Sequence, residues 1–279
     1  MMQLEVLASG SRGNSALIRS PGERRCMLID AGLSPRRTRH ALQDRDHSHQ
    51  ELTDVLITHS DGDHLHAGWA KAIGSWNFTL HVHHTHVARV ERSGIPRDRL
   101  SVFDGAFTLG EDTHVRTALG PHDVHGSVSY IVRRGDAVIG WATDLGRFGD
   151  ELQAFFSDAC PHVFAIESNY DRAMQLMSDR PEFLIDRIMG GAGHLSNDEA
   201  IDAVLHVSKH TEPHTIVLLH RSEQCNCPQR IRALWSERAS HLADRMIVAS
   251  QHEPMPPIMV GSRVCSVATP LTNRGLHPI

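Results

Sequence analysis

The segment Thr58–His64 constrains this chain more than any other, because it gathers four candidate metal ligands behind a short apolar stretch. We expect Asp54–Thr58 to form a strand, and side chains at strand ends point into a common cleft. Imidazole nitrogens and carboxylate oxygens are the expected ligands of zinc, iron and manganese in hydrolytic sites. The four candidates are His59, Asp61, Asp63 and His64.

Spacing divides these four residues into two pairs. Side chains at i and i+2 of an extended segment face the same way, so we expect His59 and Asp61 to bind one ion. Asp63 and His64, beyond the following turn, are then free to bind a second. A polar solvated loop is the alternative, because the chain has 22 histidines and chance pairs are expected. A competing register through His66 lacks a carboxylate partner and is interpreted as incidental.

Three more candidate ligands follow apolar segments elsewhere in the chain: His122, Asp144 and His220. Each has an ordinary explanation by itself, as a surface histidine, a helix N-cap and a strand-terminal residue respectively. A dinuclear site needs such a set, because one carboxylate can bridge both ions while each histidine completes a coordination sphere. The residues therefore predict a two-metal site.

Apolar patterning predicts strands that alternate with helices in two halves of the chain. A proline after Ser34 and a capping box at Ser196–Glu199 mark the starts of two helices. This order indicates two sheets packed face to face with helices outside. Predicted strands cover Gln3–Ala8, Ala16–Arg19, Cys26–Asp30, Asp54–Thr58, Thr79–His83, Leu100–Phe103, Ser127–Arg133, Ala137–Thr143, His162–Glu167 and Thr215–Leu219, with a further strand possible at Arg263–Ala268. Predicted helices cover Pro35–Gln43, Ala67–Ile73, Thr85–Arg92 and the residues from Ser196 to about Ser208.

Composition limits the protein class. A chain of 279 residues with 40% apolar residues can bury one large core, and no apolar run approaches the roughly 18 residues of a membrane span. The absence of an export signal and five scattered cysteines predict a soluble, cytoplasmic protein. The pair in Cys225-Asn-Cys227 is more simply a turn with two thiols than a metal site. A net charge of −5 means that any contact with a polyanion must be local.

Eight ordered motifs between residue 4 and about residue 230 make the chain resemble the metallo-β-lactamase superfamily, and more narrowly the YycJ (WalJ) family of exonuclease-like proteins. These motifs are Ser9–Asn14, Leu28–Ser34, Thr58–His64, Pro121–Asp123, Ala142–Gly146, Ile166–Asn169, Gly193–Asn197 and Leu219–Ser222. The resemblance implies an α/β (α+β) fold, the four-layer αββα sandwich, with metals in a cleft at one edge. We expect one such domain over residues 1–250, followed by a proline-containing extension over residues 251–279 that either adds an edge strand or is partly loose.

The resemblance also implies a ligand set for two divalent ions. His59, Asp61 and His122 would hold one metal, Asp63, His64 and His220 the other, and Asp144 would bridge them. The family pattern is HxHxDH, so Asp61 stands where the second histidine is usual. A carboxylate there favours manganese or iron relative to zinc, the usual metal of the family.

Further roles come from similarity to the transfer-RNA 3′-processing endonucleases (tRNase Z). There the histidine of a segment like Gly193–Asn197 contacts the scissile phosphate and protonates the leaving group. We therefore expect His194 to be the general acid, oriented by Glu167, with Asp63 also catalytic. The plainer alternative is that Glu167 ends a strand and His194 precedes a helix cap. Expected phosphate contacts are Ser11, Asn14 and Ser196, with a possible rim of Arg12, Arg36, Arg37 and Arg39.

The function predicted is a dinuclear hydrolase that uses a metal-bridging hydroxide, most simply a phosphodiesterase or nuclease of the exonuclease type. Its expected substrate is nucleic acid or another phosphodiester. One alternative is a small-molecule hydrolase of lactones, thioesters or cyclic phosphodiesters, since the fold does not select among them. Another is a metal-binding regulatory protein with reduced activity because of Asp61. The oligomeric state stays open.

Overall fold

The computed structural model describes residues 1–261, and within them two seven-stranded sheets pack against each other. The first sheet has the order β14-β1-β2-β3-β4-β5-β6 and the second the order β13-β12-β11-β10-β9-β8-β7. The strands of the first sheet are β1 (Met2–Ala8), β2 (Ser15–Arg19), β3 (Cys26–Ile29), β4 (Leu52–Leu56), β5 (Thr79–His83), β6 (Leu100–Phe103) and β14 (Ile258–Val260). Those of the second sheet are β7 (Phe107–Leu109), β8 (Thr113–Gly120), β9 (Ser127–Arg134), β10 (Ala137–Ala142), β11 (Val163–Glu167), β12 (Thr215–Leu219) and β13 (Met246–Val248).

Helices cover the outer faces of both sheets, which completes the predicted αββα sandwich. Three helices lie in the first half: α1 (Pro35–Gln43), α2 (Trp69–Ala72) and α3 (Val87–Arg92). Six lie in the second half: α4 (Asp150–Ala159), α5 (Arg172–Leu176), α6 (Glu182–Met189), α7 (Asn197–Ser208), α8 (Pro228–Arg238) and α9 (Ser240–Ala243). No helix among residues 1–261 is long and apolar enough to cross a membrane.

Three apolar layers hold the sandwich together. The middle layer lies between the sheets and includes Leu4, Tyr130 and Trp141, each at most 2% exposed. An outer layer packs α1 and α2 on the first sheet, and another packs α4, α7 and α8 on the second. Burial on both faces explains why β10 and β11 read as continuous apolar runs.

Local sequence signals agree with the helix starts that were predicted. The Ser34 hydroxyl accepts a hydrogen bond from the Arg37 amide, and the capping box at Ser196 and Glu199 is present. The prediction did not include β8, where polar side chains alternate with buried ones and dilute the apolar signal. It also placed no strand at β14, which pairs antiparallel with β1 at the sheet edge. The predicted strand at Arg263–Ala268 lies outside the described residues.

Parallel strands bring distant segments to one edge. In the second sheet β10, β11 and β12 run parallel, so the residues after them, including Asp144 and His220, emerge together. In the first sheet β3, β4, β5 and β6 are also parallel, and the segment Thr58–His64 follows β4. The two sets meet in a cleft at this edge, which is where the sequence predicted the site.

Candidate metal centre and active site

All seven predicted metal ligands lie in three overlapping clusters. Within each cluster the potential ligand atoms lie within 4.8 Å of one another. The predicted grouping reappears, since the segment after β4 supplies members to every cluster and residues from the second sheet complete them. The clusters are His59 with Asp61 and His122, Asp63 with His64 and His220, and His59 with His64 and Asp144.

The distances between these ligand atoms suit a shared cation. Two ligands at 2.0–2.2 Å from a tetrahedral ion lie about 3.3–3.6 Å apart. His64 Nε2 is 3.1 Å from Asp144 Oδ2, and His220 Nε2 is 3.4 Å from Asp63 Oδ2. His59 Nε2 is 3.9 Å from Asp61 Oδ2. Small side-chain shifts would bring each set to coordination distance.

Each of the four histidines turns its Nδ1 atom to a protein partner. His64 Nδ1 is 2.7 Å from Asp30 Oδ2, His220 Nδ1 is 3.1 Å from Glu167 Oε1, and His122 Nδ1 is 2.9 Å from the Gly193 carbonyl. His59 Nδ1 is bonded to the Thr58 hydroxyl at 3.2 Å. Such partners fix ring orientation in metal sites and leave Nε2 for the ion.

Asp30 is a member of this arrangement to which sequence reasoning gave no role. It is fully buried and accepts hydrogen bonds from the Thr58 amide and hydroxyl as well as meeting His64. A carboxylate at the end of the apolar strand β3 is the signal that could have identified it. The residue therefore braces both the loop after β4 and one candidate ligand.

His220 Nε2 provides a direct test of whether the residues fit a metal. This atom is buried and forms no hydrogen bond with any of residues 1–261. A buried polar atom without a partner is costly, and native proteins rarely leave one without a reason. Its nearest recorded carboxylate oxygen is Asp63 Oδ2 at 3.4 Å, and a cation bound between the two atoms would satisfy it. The donor set thus fits a divalent metal.

Attraction between opposite charges outweighs burial for Asp144 and His220 in this cluster, but not for His59. Burial raises the pKa of Asp144, but the charges of His220 and His64 outweigh it and hold the pKa well below its usual value. Burial lowers the pKa of His220, yet Asp144, Asp63 and Glu167 together raise it to about 10. Burial and His64 lower the pKa of His59 well below its usual value. Without metal, the site therefore holds protons that a cation must displace.

The backbone is strained where two candidate ligands emerge. Asp144 has φ 53° and His220 has φ 51°, both in the left-handed region that costs most side chains free energy. The backbone also passes close to itself at Gly32, where a Cβ atom would lie 1.8 Å from the Asp63 carbonyl oxygen. Such strain persists only where surrounding structure holds it, as at functional sites.

His194 and Glu167 form the pair that the sequence suggested. His194 Nδ1 is 2.7 Å from Glu167 Oε1, and the same oxygen also meets His220 Nδ1. The other carboxylate oxygen accepts hydrogen bonds from the amides of Leu145 and Leu195. Both oxygens of the buried Glu167 carboxylate therefore have hydrogen-bond partners. His194 Nε2 forms no hydrogen bond among the described residues and lies beside the cleft.

The predicted phosphate contacts differ in placement. Ser11 lines the cleft. Asn14 is buried, donates to the Asp63 carbonyl and lies 2.9 Å from His64 Nε2, so it braces the loop after β4. The Ser196 hydroxyl is occupied by the capping box. Roles in substrate binding stay predictions for all three.

Two other sequence features lie outside the candidate metal clusters. His66, from the competing register, accepts the Gly68 amide in a local turn. The thiols of Cys225 and Cys227 belong to no potential metal group among residues 1–261.

Arg12 pairs with Glu223 at 3.6 Å, and Arg39 covers the Trp76 ring. A rim of Arg12, Arg36, Arg37 and Arg39 stays a prediction.

Comparison with known proteins decides the family. The model of the metallo-beta-lactamase superfamily matches residues 8–185, which is more than half of the chain. The chain belongs to this superfamily. It is 26% identical over 234 residues to a protein named exodeoxyribonuclease YycJ from Bacillus anthracis, covering 83% of this chain and 86% of the relative. It is 26% identical over 205 residues to exodeoxyribonuclease WalJ from Streptococcus pneumoniae, covering 72% and 74% respectively.

Solved structures agree about the fold. The metallo-beta-lactamase fold protein YhfI from Bacillus subtilis has a TM-score of 0.67 at 15% identity, with 91% of this chain and 98% of that chain covered. Membership in the superfamily implies binding of divalent metal and a metal-dependent hydrolase. It confirms the predicted family and four-layer fold.

The departure at Asp61 from the superfamily pattern has a structural counterpart that the sequence did not reveal. Asp61 Oδ1 accepts a hydrogen bond from Arg89 Nη2 at 2.8 Å, while Oδ2 faces His59. The arginine, on α3, partly offsets the extra negative charge that a carboxylate brings in place of an imidazole. Both side chains are partly exposed, at 31% and 39%, so water screens this interaction.

A cleft of about 400 Å³ opens beside the candidate metal ligands. Three arginines line it, none of them in the rim that was predicted. Arg187 pairs with Asp123 at 2.7 Å, whereas Arg180 and Arg221 have no carboxylate partner among the described residues. Arg180 instead donates to neutral groups such as Gln224. These two guanidinium groups give the cleft local positive charge in an acidic protein.

Proposed function

We propose that the chain is a two-metal phosphodiesterase that acts on nucleic acid, as an exonuclease. The observation that carries the proposal is that one cleft is lined by the candidate ligands His122 and His220, by His194 and by two arginines. These arginines are Arg180 and Arg221, which have no carboxylate partner among the described residues. The names of the relatives YycJ and WalJ, both exodeoxyribonucleases, support the same substrate class.

The proposed ligand assignment follows the three clusters. One ion would be held by His59, Asp61 and His122, the other by Asp63, His64 and His220, with Asp144 shared between them. When bound, two such ions supply Lewis acidity and an activated water at neutral pH. Zinc fits the imidazole-rich set, and manganese or iron is favoured relative to zinc by the carboxylate of Asp61.

The remaining residues act on substrate and on protons. Glu167 orients His194 through Nδ1, which leaves Nε2 free to give a proton to the leaving oxygen. Arg180 and Arg221 would bind the phosphate backbone next to the scissile bond, since a guanidinium group pairs well with phosphate oxygens. Asp63 would hold its metal and fix the position of His220.

A nuclease assay tests the proposal. End-labelled single-stranded and duplex DNA and RNA are incubated with the purified chain and Mn²⁺ or Zn²⁺. We expect stepwise release of nucleotides that chelation abolishes and that Asp144→Asn and His194→Gln lose. His66→Gln is the matched control, because His66 belongs to no candidate cluster. Inertness on every polynucleotide would contradict the proposal.

A small-molecule hydrolase is a second candidate, favoured by the modest cleft volume of about 400 Å³, which suits a nucleotide-sized ligand. A panel of chromogenic lactones, thioesters and phosphodiesters distinguishes the two. Hydrolysis there without release from polynucleotides would favour this candidate. A chain that retains metal but hydrolyses nothing would favour the regulatory role considered for the Asp61 departure.

We also propose the predicted division into a domain over residues 1–250 and an extension beyond it, and a cytoplasmic location. Strand β14 at the edge of the first sheet supports an extension that adds to the sandwich. The described cysteines are free, which suits a reducing compartment. Fractionation of expressing cells checks the location.

A further inference from the structure

A second histidine cluster lies at the same edge of the first sheet and has no part in the proposed catalytic function. His83 is the last residue of β5, His84 follows it, and Asp104 follows β6. Since β4, β5 and β6 are parallel neighbours, these residues lie one and two strands along from the strand that leads to His59. None of the three belongs to the catalytic clusters.

The geometry of this second cluster is that of a three-ligand cation site. His83 Nε2 and His84 Nδ1 each lie 3.7 Å from the same oxygen, Asp104 Oδ1. All three ligand atoms lie within 4.8 Å of one another. The separation of about 3.3–3.6 Å between ligands around a tetrahedral zinc ion is close to these values. Small rotations of the two exposed side chains would close the gap.

His83 is already oriented toward this position. Its side chain is only 7% exposed, and its Nδ1 is held by the Thr85 hydroxyl at 2.9 Å. Its Nε2 forms no hydrogen bond with any of residues 1–261 and faces Asp104. Burial and the neighbouring His84 lower the pKa of His83.

The other two ligands are open to solvent, which gives an ion a path to the site. His84 is 53% exposed and Asp104 is 78% exposed. Two imidazoles and one carboxylate suit a borderline cation such as Zn²⁺ and leave its fourth position for water, whereas magnesium and calcium prefer oxygen ligands. The site therefore has one fixed ligand and two adjustable ones.

We propose that His83, His84 and Asp104 form an accessory Zn²⁺ site, separate from the catalytic centre. The site also has a structural consequence. Residues 104–106 join β6, at the edge of the first sheet, to β7, at the edge of the second. An ion held by Asp104 and two residues at the end of β5 ties this crossover to the first sheet, so occupancy stabilises the folded chain.

Zinc titration of four full-length proteins tests the site without reference to activity. The wild type is compared with His84→Asn, Asp104→Asn and the control His241→Asn, which removes an exposed histidine from α9. Calorimetric titration near neutral pH measures stoichiometry, and zinc-edge anomalous scattering from crystals locates the ions. We expect the wild type and the control to bind one more Zn²⁺ per chain than either cluster variant, with density between His83 and Asp104.

The same proteins give a second measurement. Excess Zn²⁺ should raise the Tm of the wild type and of His241→Asn more than that of the two cluster variants. Equal stoichiometry in all four proteins, or retention of the additional ion in either cluster variant, would overturn the accessory site. Failure of the nuclease assay leaves this result unaffected, because binding and Tm are measured without substrate.

Discussion

Two histidine clusters occupy one edge of this molecule, and they differ in how firmly their ligands are held. In the proposed catalytic centre, His59, His64 and His220 have side chains at most 4% exposed, and each ring has a fixed partner at Nδ1. In the accessory cluster only His83 is held in this way, while His84 and Asp104 lie in solvent. Residue type alone therefore does not distinguish a preorganised centre from an adjustable one.

The two clusters also differ in charge. Buried carboxylates surround imidazoles of the proposed catalytic centre, with Asp30 beside His64, Glu167 beside His220 and Asp144 near both. The accessory cluster has one exposed carboxylate, Asp104. Buried carboxylates keep protons on neighbouring imidazoles, so the difference should appear in metal affinity, pH dependence and response to mutation.

The largest expected effect comes from removing Asp144, the carboxylate proposed to be shared between the two ions. Asp144→Asn should lower kcat/KM by about 10³-fold or more, because it removes a ligand proposed for both ions and a buried countercharge. Asp104→Asn, the matched change in the accessory cluster, should leave kcat/KM within about twofold, since exposed substitutions away from a site have small effects. Steady-state kinetics on a labelled oligonucleotide measures both; equal losses would break the distinction between the clusters.

A second difference should appear in pH dependence. The pKa of His220 in the metal-free chain is raised to about 10, so below that pH a proton must be displaced when metal binds. The affinity of the proposed catalytic centre for Zn²⁺ should therefore rise by up to about tenfold per pH unit between pH 7 and 9. The pKa of His83 is lowered, so the accessory site should change little over the same range. Competition titrations at several pH values measure the two slopes; parallel slopes would contradict this prediction.

Rising pH should have the opposite effect on the stability of the metal-free chain, which should decrease while zinc affinity increases. A pKa raised on folding means that His220 contributes to the free energy of unfolding below pH 6.5, and that this contribution is lost as pH rises toward about 10. Denaturant unfolding of the chelated protein should therefore show decreasing stability over that interval. His220→Gln should remove much of the slope.

A smaller effect is expected from residues that orient the ligands. Glu167→Gln should weaken metal binding or activity by about 10–100-fold, because the carboxylate holds both His194 and His220. Thr85→Val removes the corresponding partner of His83 and should weaken only the accessory site. Metal titration and kinetics on both variants measure these effects. Loss of activity in Thr85→Val would contradict the prediction that this variant affects only the accessory site.

The smallest effect concerns the salt bridge at the catalytic edge. Arg89→Gln removes a positive charge from beside Asp61, so affinity for a divalent ion should rise by about fivefold or less, the range of an exposed ion pair. High salt should reduce the difference. Arg92→Gln, on the same helix but without an ion pair among the described residues, serves as the control. An unchanged metal affinity of Arg89→Gln at low salt would show that Arg89 does not influence metal binding.

The sequence by itself determined the two-sheet architecture, the family and the meeting of candidate ligands at one edge. Ten strand positions follow from local apolar patterning, although strands such as β8 and β14 do not, and parallel strands align their ends. Ligands such as Asp144 and His220 could be predicted because each lies within two residues of the end of an apolar strand. The capping box at Ser196 is likewise a local signal, complete within four residues.

Only the tertiary structure decided which distant side chains share a contact. Asp61 meets Arg89 and His64 meets Asp30 across intervals of 28 and 34 residues, and no local pattern records either pairing. The guanidinium groups of the cleft belong to helices and loops whose exposure depends on packing. Burial and partner geometry, which set charge state and orientation, are properties of the folded surroundings and not of a segment. For that reason the ligand types were predictable, whereas their preorganisation was not.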